Sequence, residues 1–470
     1  MEIVASTFLS LAAIAALMVM GPHRGLWLAM AMAPFGAAAA FNLPALGGAS
    51  ILALDLMAVT LFGLVILSRD GMRQVVGTMR MGQPGFWLLL LGLFCIMAAL
   101  FLPRVFQGQT EVFSIARSEG RTAIISVPLR PNVGNLTQLF RIGLGVLAFL
   151  ALATAFRRRP DAGRVRRAMI VVTCVHVALG WLDVISHAVG LPELLEPIRT
   201  ANYAMLTESM MGGLKRMVGG FPEASSYGYL TLALFGFWLQ YWVAGGRSRL
   251  GFWMLLATVV VLLRGTSSSA YVAAALFCVS FAGLAYLRRL RHRVHRRTAA
   301  VWAVAAVLAW LGAIGLFAAY QLVDPVAAYL DRALFQKLEG SSGVERMSWN
   351  AQAFSNFLET WMMGAGLGSI RASNWLLACL GSIGLIGTGL FLGFLGATAT
   401  LREQGGDQER AVVIRALKAA CLALFCVAML ILPTPDLGIF FFMLAGLAAG
   451  LARGGLLRAR HGAEVARRFH

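Results

Sequence analysis

The chain has 470 residues, of which 59% are hydrophobic and 13% charged, and 40 Lys and Arg against 21 Asp and Glu leave a net charge of +19. That apolar content excludes an ordinary water-soluble domain. A backbone in lipid must satisfy its own polar groups, so the expected fold is an all-α polytopic membrane protein. The basic excess does not point to nucleic acid, because it lies in short loops between apolar runs, where it reports topology.

Apolar runs near 3–20, 26–40, 51–67, 86–102, 137–156, 168–189, 226–244, 252–264, 270–287, 298–319, 374–398, 415–433 and 439–452 predict about thirteen spans in one polytopic domain, residues 1–470. The first run follows Glu2 without a basic leader, so no cleavable signal peptide is expected. Alternate loops collect RRRPDAGRVRR (157–167), RRLRHRVHRR (288–297) and the arginine-rich tail after Leu451 on one side. That side is expected to be cytoplasmic, with the N-terminus outside and the C-terminus inside. Its arginines are suited to contact with anionic membrane lipids. All six cysteines fall within predicted spans, so neither a structural disulfide nor a cysteine metal site is expected.

The other side carries three large loops, 103–135, 190–225 and 321–373. In the first, ISVPLRPNV suggests a short extended piece. In the third, Leu338–Gly368 predicts a helix opened by a Ser342/Glu345 capping box. Val344, Met347, Ala351, Phe354, Leu358 and Trp361 then recur at steps of three and four, and Gly364, Gly366 and Gly368 end the pattern. Arg346 and Asn350, one turn apart, share a different face, read as one wall of an active site.

Within the spans, Asp55, Arg141, Asp183 and Arg264 all lie toward the outer side, with His176 and His187 near the Asp183 face. Ionisable groups at such depth face protein or water. Two readings follow: a hydrated cavity opening outward, or Asp55 or Asp183 pairing with Arg141 to join helices. No HExxH, Asp-x-Asp, spaced Cys/His or Walker pattern occurs, so no metal, nucleotide or other cofactor is expected. Ser267, Ser268 and Ser269 have no neighbouring His or Lys, and their hydroxyls are expected to bond helix-end backbone or a sugar.

Three segments together carry a resemblance. GGFPEASSYGYL (219–230), LLRGTSSSAYVAAAL (262–276) and ERMSWNAQAFSNFLETWMMGAGLGSIRASNWLLACLGSIGLIG (345–387) resemble, in order, side and span count, segments of the O-antigen polymerase and ligase superfamily, including Wzy-type polysaccharide polymerases. The resemblance implies a multi-helix membrane fold similar to GT-C-type glycosyltransferases. It implies metal-independent transfer of oligosaccharides carried on undecaprenyl diphosphate, at the periplasmic face of a bacterial inner membrane. A chain-length regulator and a flippase are the further partners it suggests.

A diphosphate leaving group needs positive charge, and arginine supplies it as a planar, permanently charged fork. Arg264, Arg346, Arg371, Arg199, Lys215 and Arg216 are the outer candidates. Glu223, at the mouth of a span, is the candidate base for an acceptor hydroxyl, whereas Glu345 is expected to cap its helix. Trp349, Trp361 and Trp375 could stack on sugars or simply anchor at the interface. Asn374, Ser268, Asp183 and Arg141 complete the expected substrate-binding set. Ligases of the superfamily are similar in carrying a His-Asn pair where this chain reads RASNW, and Ser-Arg-Gly where it reads SSSAY. Both departures favour a polymerase. A ligase, a lipid-sugar flippase or transporter, and a non-catalytic assembly subunit are the alternatives.

Overall fold

A computed structural model describes residues 1–44, 48–118, 121–211, 213–290, 321 and 341–468. The predicted span 298–319 lies outside these. The described chain is mostly helical, with three small antiparallel hairpins. Its elements are α1 (Ala5–Arg24), α2 (Leu26–Ala31), β1 (Ala39–Leu43), β2 (Ala49–Leu52), α3 (Ala53–Ile66), α4 (Gly71–Thr78), α5 (Pro84–Leu100) and α6 (Leu102–Val105). Then come β3 (Glu111–Ser118), β4 (Arg121–Pro128), α7 (Val133–Arg158), α8 (Ala162–Ala188), β5 (Met210–Met211), β6 (Leu214–Lys215), α9 (Ala224–Ala244), α10 (Arg249–Arg264) and α11 (Ser268–Leu290). Beyond residue 340 lie α12 (Ser341–Glu359), α13 (Trp375–Thr400), α14 (Gln408–Ile431) and α15 (Ile439–Arg468). Among the described residues, 8 helices are long and apolar enough to cross a bilayer.

Helix starts follow the side chains that can satisfy free backbone N–H groups. Asp161 accepts from Arg164 N at 3.0 Å to open α8, and Asp407 accepts from Arg410 N at 3.0 Å to open α14. Pro84, in the first turn of α5, needs no such partner. The two ends of the molecule are defined by α7. Its start holds the glycine loop, where Asn135 Nδ2 donates to Leu367 O at 2.7 Å and Ser369 Oγ at 2.8 Å. Its far end carries Arg157 and Arg158 beside α4. We call these the loop end and the arginine end.

Helix α15 packs along α7 through a stripe of glycines. A Cβ at Gly446, Gly450 or Gly454 would come within 2.6, 2.8 or 2.8 Å of the carbonyl oxygens of Phe149, Ala153 and Arg157. Small residues four apart let two backbones touch, the packing that replaces hydrophobic drive inside lipid. Phe149, Phe391, Phe394, Phe441 and Phe442 fill the space beside this seam.

Two expected spans are interrupted. Over 26–40 only Leu26–Ala31 is helical, because Pro34 and Gly36 stop the helix. The chain still passes from His23, stacked on Phe156 at the arginine end, to β1, which Glu2 joins at the loop end. The non-helical part is buried, with its backbone bonded to Gly220 O and to Thr200 and Ala201 N. Such backbone is tolerated at membrane depth only when protein covers it.

Helix α13 breaks at Gly384, whose φ of 60° and ψ of −165° favour glycine. Trp375 and Phe391, on either side of the break, have ring centroids 5.1 Å apart. In a straight helix their backbones would lie about 24 Å apart, so the two segments bend sharply toward each other.

Candidate functional site

Asp183, near the loop end of α8, is the centre of the densest polar network. Its Oδ1 accepts from Arg199 Nη2 at 2.6 Å and Lys215 Nζ at 3.0 Å, and its Oδ2 from Val218 N at 2.8 Å and Gly219 N at 3.2 Å. Arg199 Nε also reaches Gly219 O at 2.9 Å, and Arg264 Nη1 reaches Lys215 O at 2.9 Å. The carboxylate thus ties the whole 199–219 loop to α8. Of the expected substrate-binding residues, Asp183, Arg199 and Lys215 are buried and bonded to one another, and Arg264 braces the same loop. Buried charges require such pairing. Arg216 is not free of interactions either.

A cavity of about 480 Å³ opens beside this network. Its lining includes Asp183, Arg199 and Lys215 together with Glu193, Glu196, Glu208 and His187. Four carboxylates against two cations make its wall acidic, which suits hydroxyl donors and repels phosphate.

Asp55 and Arg141 form the second buried pair. Arg141 Nη1 lies 2.9 and 3.0 Å from the two carboxylate oxygens, and its Nη2 donates to Ser50 O at 3.3 Å. Of the two readings for Asp55 and Arg141, helix joining is therefore the one realised, between α3 and α7. Asp436 and Tyr203 stand close enough to act on this pair electrostatically. Asp436 is half-buried between α14 and α15, and burial pushes its carboxyl above the ordinary range, against the opposing Gly438 N–H and Arg141. Burial likewise raises the Tyr203 phenol to about 12.

The predicted helix of the third loop is α12, and it presents an unexpected face. Val344, Met347, Phe354, Leu358 and Trp361 are exposed, at 60%, 69%, 46%, 48% and 80%. The face packed inward holds Trp349, Ala353, Asn356, Phe357 and Thr360. Periodicity predicts a stripe but not what covers it. The inward choice is made by β3: Asn356 Nδ2 donates to Thr110 Oγ1 and Glu111 O, both at 2.6 Å, and Gln352 Nε2 to Glu111 O at 2.6 Å. Trp349 meets Phe113 edge to face at 5.5 Å, and its Nε1 donates to Glu345 Oε1 at 3.3 Å. Its ring is spent on packing, and Glu345 accepts from Trp349.

Asn350 Oδ1 accepts from Ser373 N at 2.7 Å, joining the Arg346 turn to the Arg371 segment. Both arginines are exposed, and among the described residues neither has an ion pair or hydrogen bond. Asn374 is an N-cap: its Oδ1 accepts from Leu376 N at 2.9 Å and Leu377 N at 3.2 Å, and its Nδ2 donates to Met429 O at 2.7 Å. Trp375 is fully buried with its Nε1 on Pro435 O at 2.9 Å.

The three sequence segments meet here. Glu223 precedes α9 and accepts a hydrogen bond from Ser225 on Oε1. Gly228, a turn further on, packs against the serine turn, where its missing Cβ would lie 2.8 Å from Ala270 and 3.7 Å from Ser267. Ser268 is buried and bonded. Tyr229 OH donates to Leu437 O at 2.8 Å, and Ala372 N to Pro433 O at 3.1 Å. The connector that joins them, Leu432–Gly438, carries the only carboxylate between Glu409 and Glu464. A lone Asp in a Pro-rich turn between two apolar runs was the available signal, and it names Asp436 as a site-adjacent group.

Among the described residues no three His, Cys, Asp or Glu side chains are grouped so as to hold a metal ion. No protein-family model matches the chain, and comparison with curated proteins gives no match.

Proposed function

We propose that this protein is a polymerase of undecaprenyl-diphosphate-linked oligosaccharide repeat units, a metal-independent glycosyltransferase with a GT-C-like arrangement of thirteen spans. The loop end faces the periplasm and the arginine end the cytoplasm of a bacterial inner membrane, by the positive-inside asymmetry. The observation that carries the reading is the convergence of the three motif segments at the loop end, with Arg346 and Arg371 beside them unpaired among the described residues.

Division of labour follows from charge. The diphosphate of the growing chain is held by Arg346 and Arg371, not by the acidic cavity beside Asp183, whose carboxylates accept sugar hydroxyls instead. A hydroxyl of the incoming repeat unit attacks the anomeric carbon. The bond to the diphosphate breaks and its electron pair leaves with undecaprenyl diphosphate. Glu223 takes the hydroxyl proton through Oε2, because Ser225 occupies Oε1.

The direct test incubates purified protein with synthetic undecaprenyl-diphosphate repeat units, without added metal or nucleotide, and resolves products by gel. A ladder spaced by whole repeat units supports the proposal. Transfer only to lipid A core would make the chain a ligase. No transfer to either acceptor, beside a working control enzyme, would overturn it.

A further inference from the structure

A second cavity lies at the arginine end, away from the site above. It measures about 700 Å³ and is lined by Arg73, Arg80, Arg157, Arg158 and Arg458, with Asp70 the one carboxylate among the described residues of its wall. The glycine stripe builds it: Gly454 seated on Arg157 O brings the second half of α15 against the end of α7. Arg157 lies over Gly77 of α4, where a Cβ would come within 2.3 Å of its Nη1.

Two of the five cationic heads, those of Arg157 and Arg158, are held by neutral acceptors. Arg158 Nη1 donates to Ser68 Oγ and Nη2 to Arg69 O, both at 2.7 Å, and Arg157 Nη1 to Gln74 O at 3.4 Å. Other arginines at the same end have carboxylates: Arg164 with Asp161 at 2.9 Å, Arg166 with Glu409 at 2.8 Å, Arg410 with Asp407 at 3.1 Å. Among the described residues, no carboxylate pairs with any of the five cavity arginines. Topology requires arginines on this end but does not require five to face one space, where like charges repel.

We infer that this cavity binds a phosphate-bearing anion, gripped by guanidinium forks from α4, the turn that follows it, α7 and α15. Five forks against one carboxylate match phosphate oxygens in both geometry and charge. The source is either an anionic phospholipid headgroup at the membrane surface or a soluble phosphate. This inference is independent of the glycan-transfer reading.

The test reads thermal midpoints of the full chain in nanodiscs of phosphatidylcholine alone, the same discs with pyrophosphate, and discs containing phosphatidylglycerol. Arg73 and Arg458 are exposed, so R73Q/R458Q should fold with a wild-type midpoint in phosphatidylcholine. R167Q/R249Q removes equal charge from exposed positions outside the cavity. Stabilisation of wild type and R167Q/R249Q, with R73Q/R458Q needing about tenfold more anion for each lost fork, supports the site. A response to phosphatidylglycerol alone assigns a headgroup, and one to pyrophosphate assigns a soluble phosphate. No stabilisation by either, or equal responses in both double variants, overturns it.

Discussion

Asp183 and Arg346 lie at the same end of the helices, and the fold treats their charges in opposite ways. Asp183 is buried at 2% exposure with every oxygen engaged by Arg199, Lys215 and two backbone amides. Arg346 stands on an exposed face of α12 with no partner among the described residues. Charge placed inside a span has to be neutralised for the protein to fold, which consumes it. Charge carried on a loop helix is under no such demand and stays free for a ligand. Site residues in this protein are therefore better sought among its unpaired loop arginines than among its intramembrane charges.

The largest expected effect tests the consumed half. Asp183→Asn leaves Arg199 and Lys215 buried without their anion, and should cost about 3–5 kcal/mol of stability. Thermal unfolding in detergent measures it; an unchanged midpoint would dissolve the distinction. Next, Arg346→Ala and Arg371→Ala should each leave stability within about 0.5 kcal/mol. Each should nevertheless lower glycan transfer about 10²-fold, the usual cost of losing one donor to developing negative charge. A folded Arg346→Ala protein that still makes full-length polymer would remove the free half of the comparison.

Asn374→Ala sharpens it further. Asn374 entered the expected substrate-binding set but serves as the cap of α13. Its loss should cost about 1 kcal/mol of stability, and turnover per folded molecule should be unchanged. The smallest effect concerns Asp436. Its folded carboxyl titrates above the ordinary range, so the folded state holds its proton to higher pH than the unfolded chain. Its contribution is present at low pH and is lost as pH rises through the raised value. Asp436→Asn should therefore raise the midpoint slightly at neutral pH and flatten the pH dependence above the usual carboxylate range. A steeper dependence in the variant would contradict this.

Much of the helical architecture was legible because it rests on local chemistry. Apolar runs of span length, caps such as Asp161 and Asp407, and the extended ISVP of β4 are written in neighbouring residues. The 26–40 run carries its weakness in its short length and in Pro34, though not the sign that a covered extended chain would finish the passage. The candidate site was legible only in part. Segments 219–230, 262–276 and 345–387 could be picked out, but the connector that unites them, Leu432–Gly438, has no pattern of its own beyond Asp436.

The sequence by itself determined which residues could be helical, which could lie in lipid and which carried charge, since each depends on contacts a few residues away. Only the tertiary structure decided which charges were spent. Arg141 is joined to Asp55 across 86 positions and Asn356 to Glu111 across 245. The same long-range contacts turned the apolar stripe of α12 outward. Pairing of this kind depends on which helix ends are brought together, and no local periodicity encodes that choice.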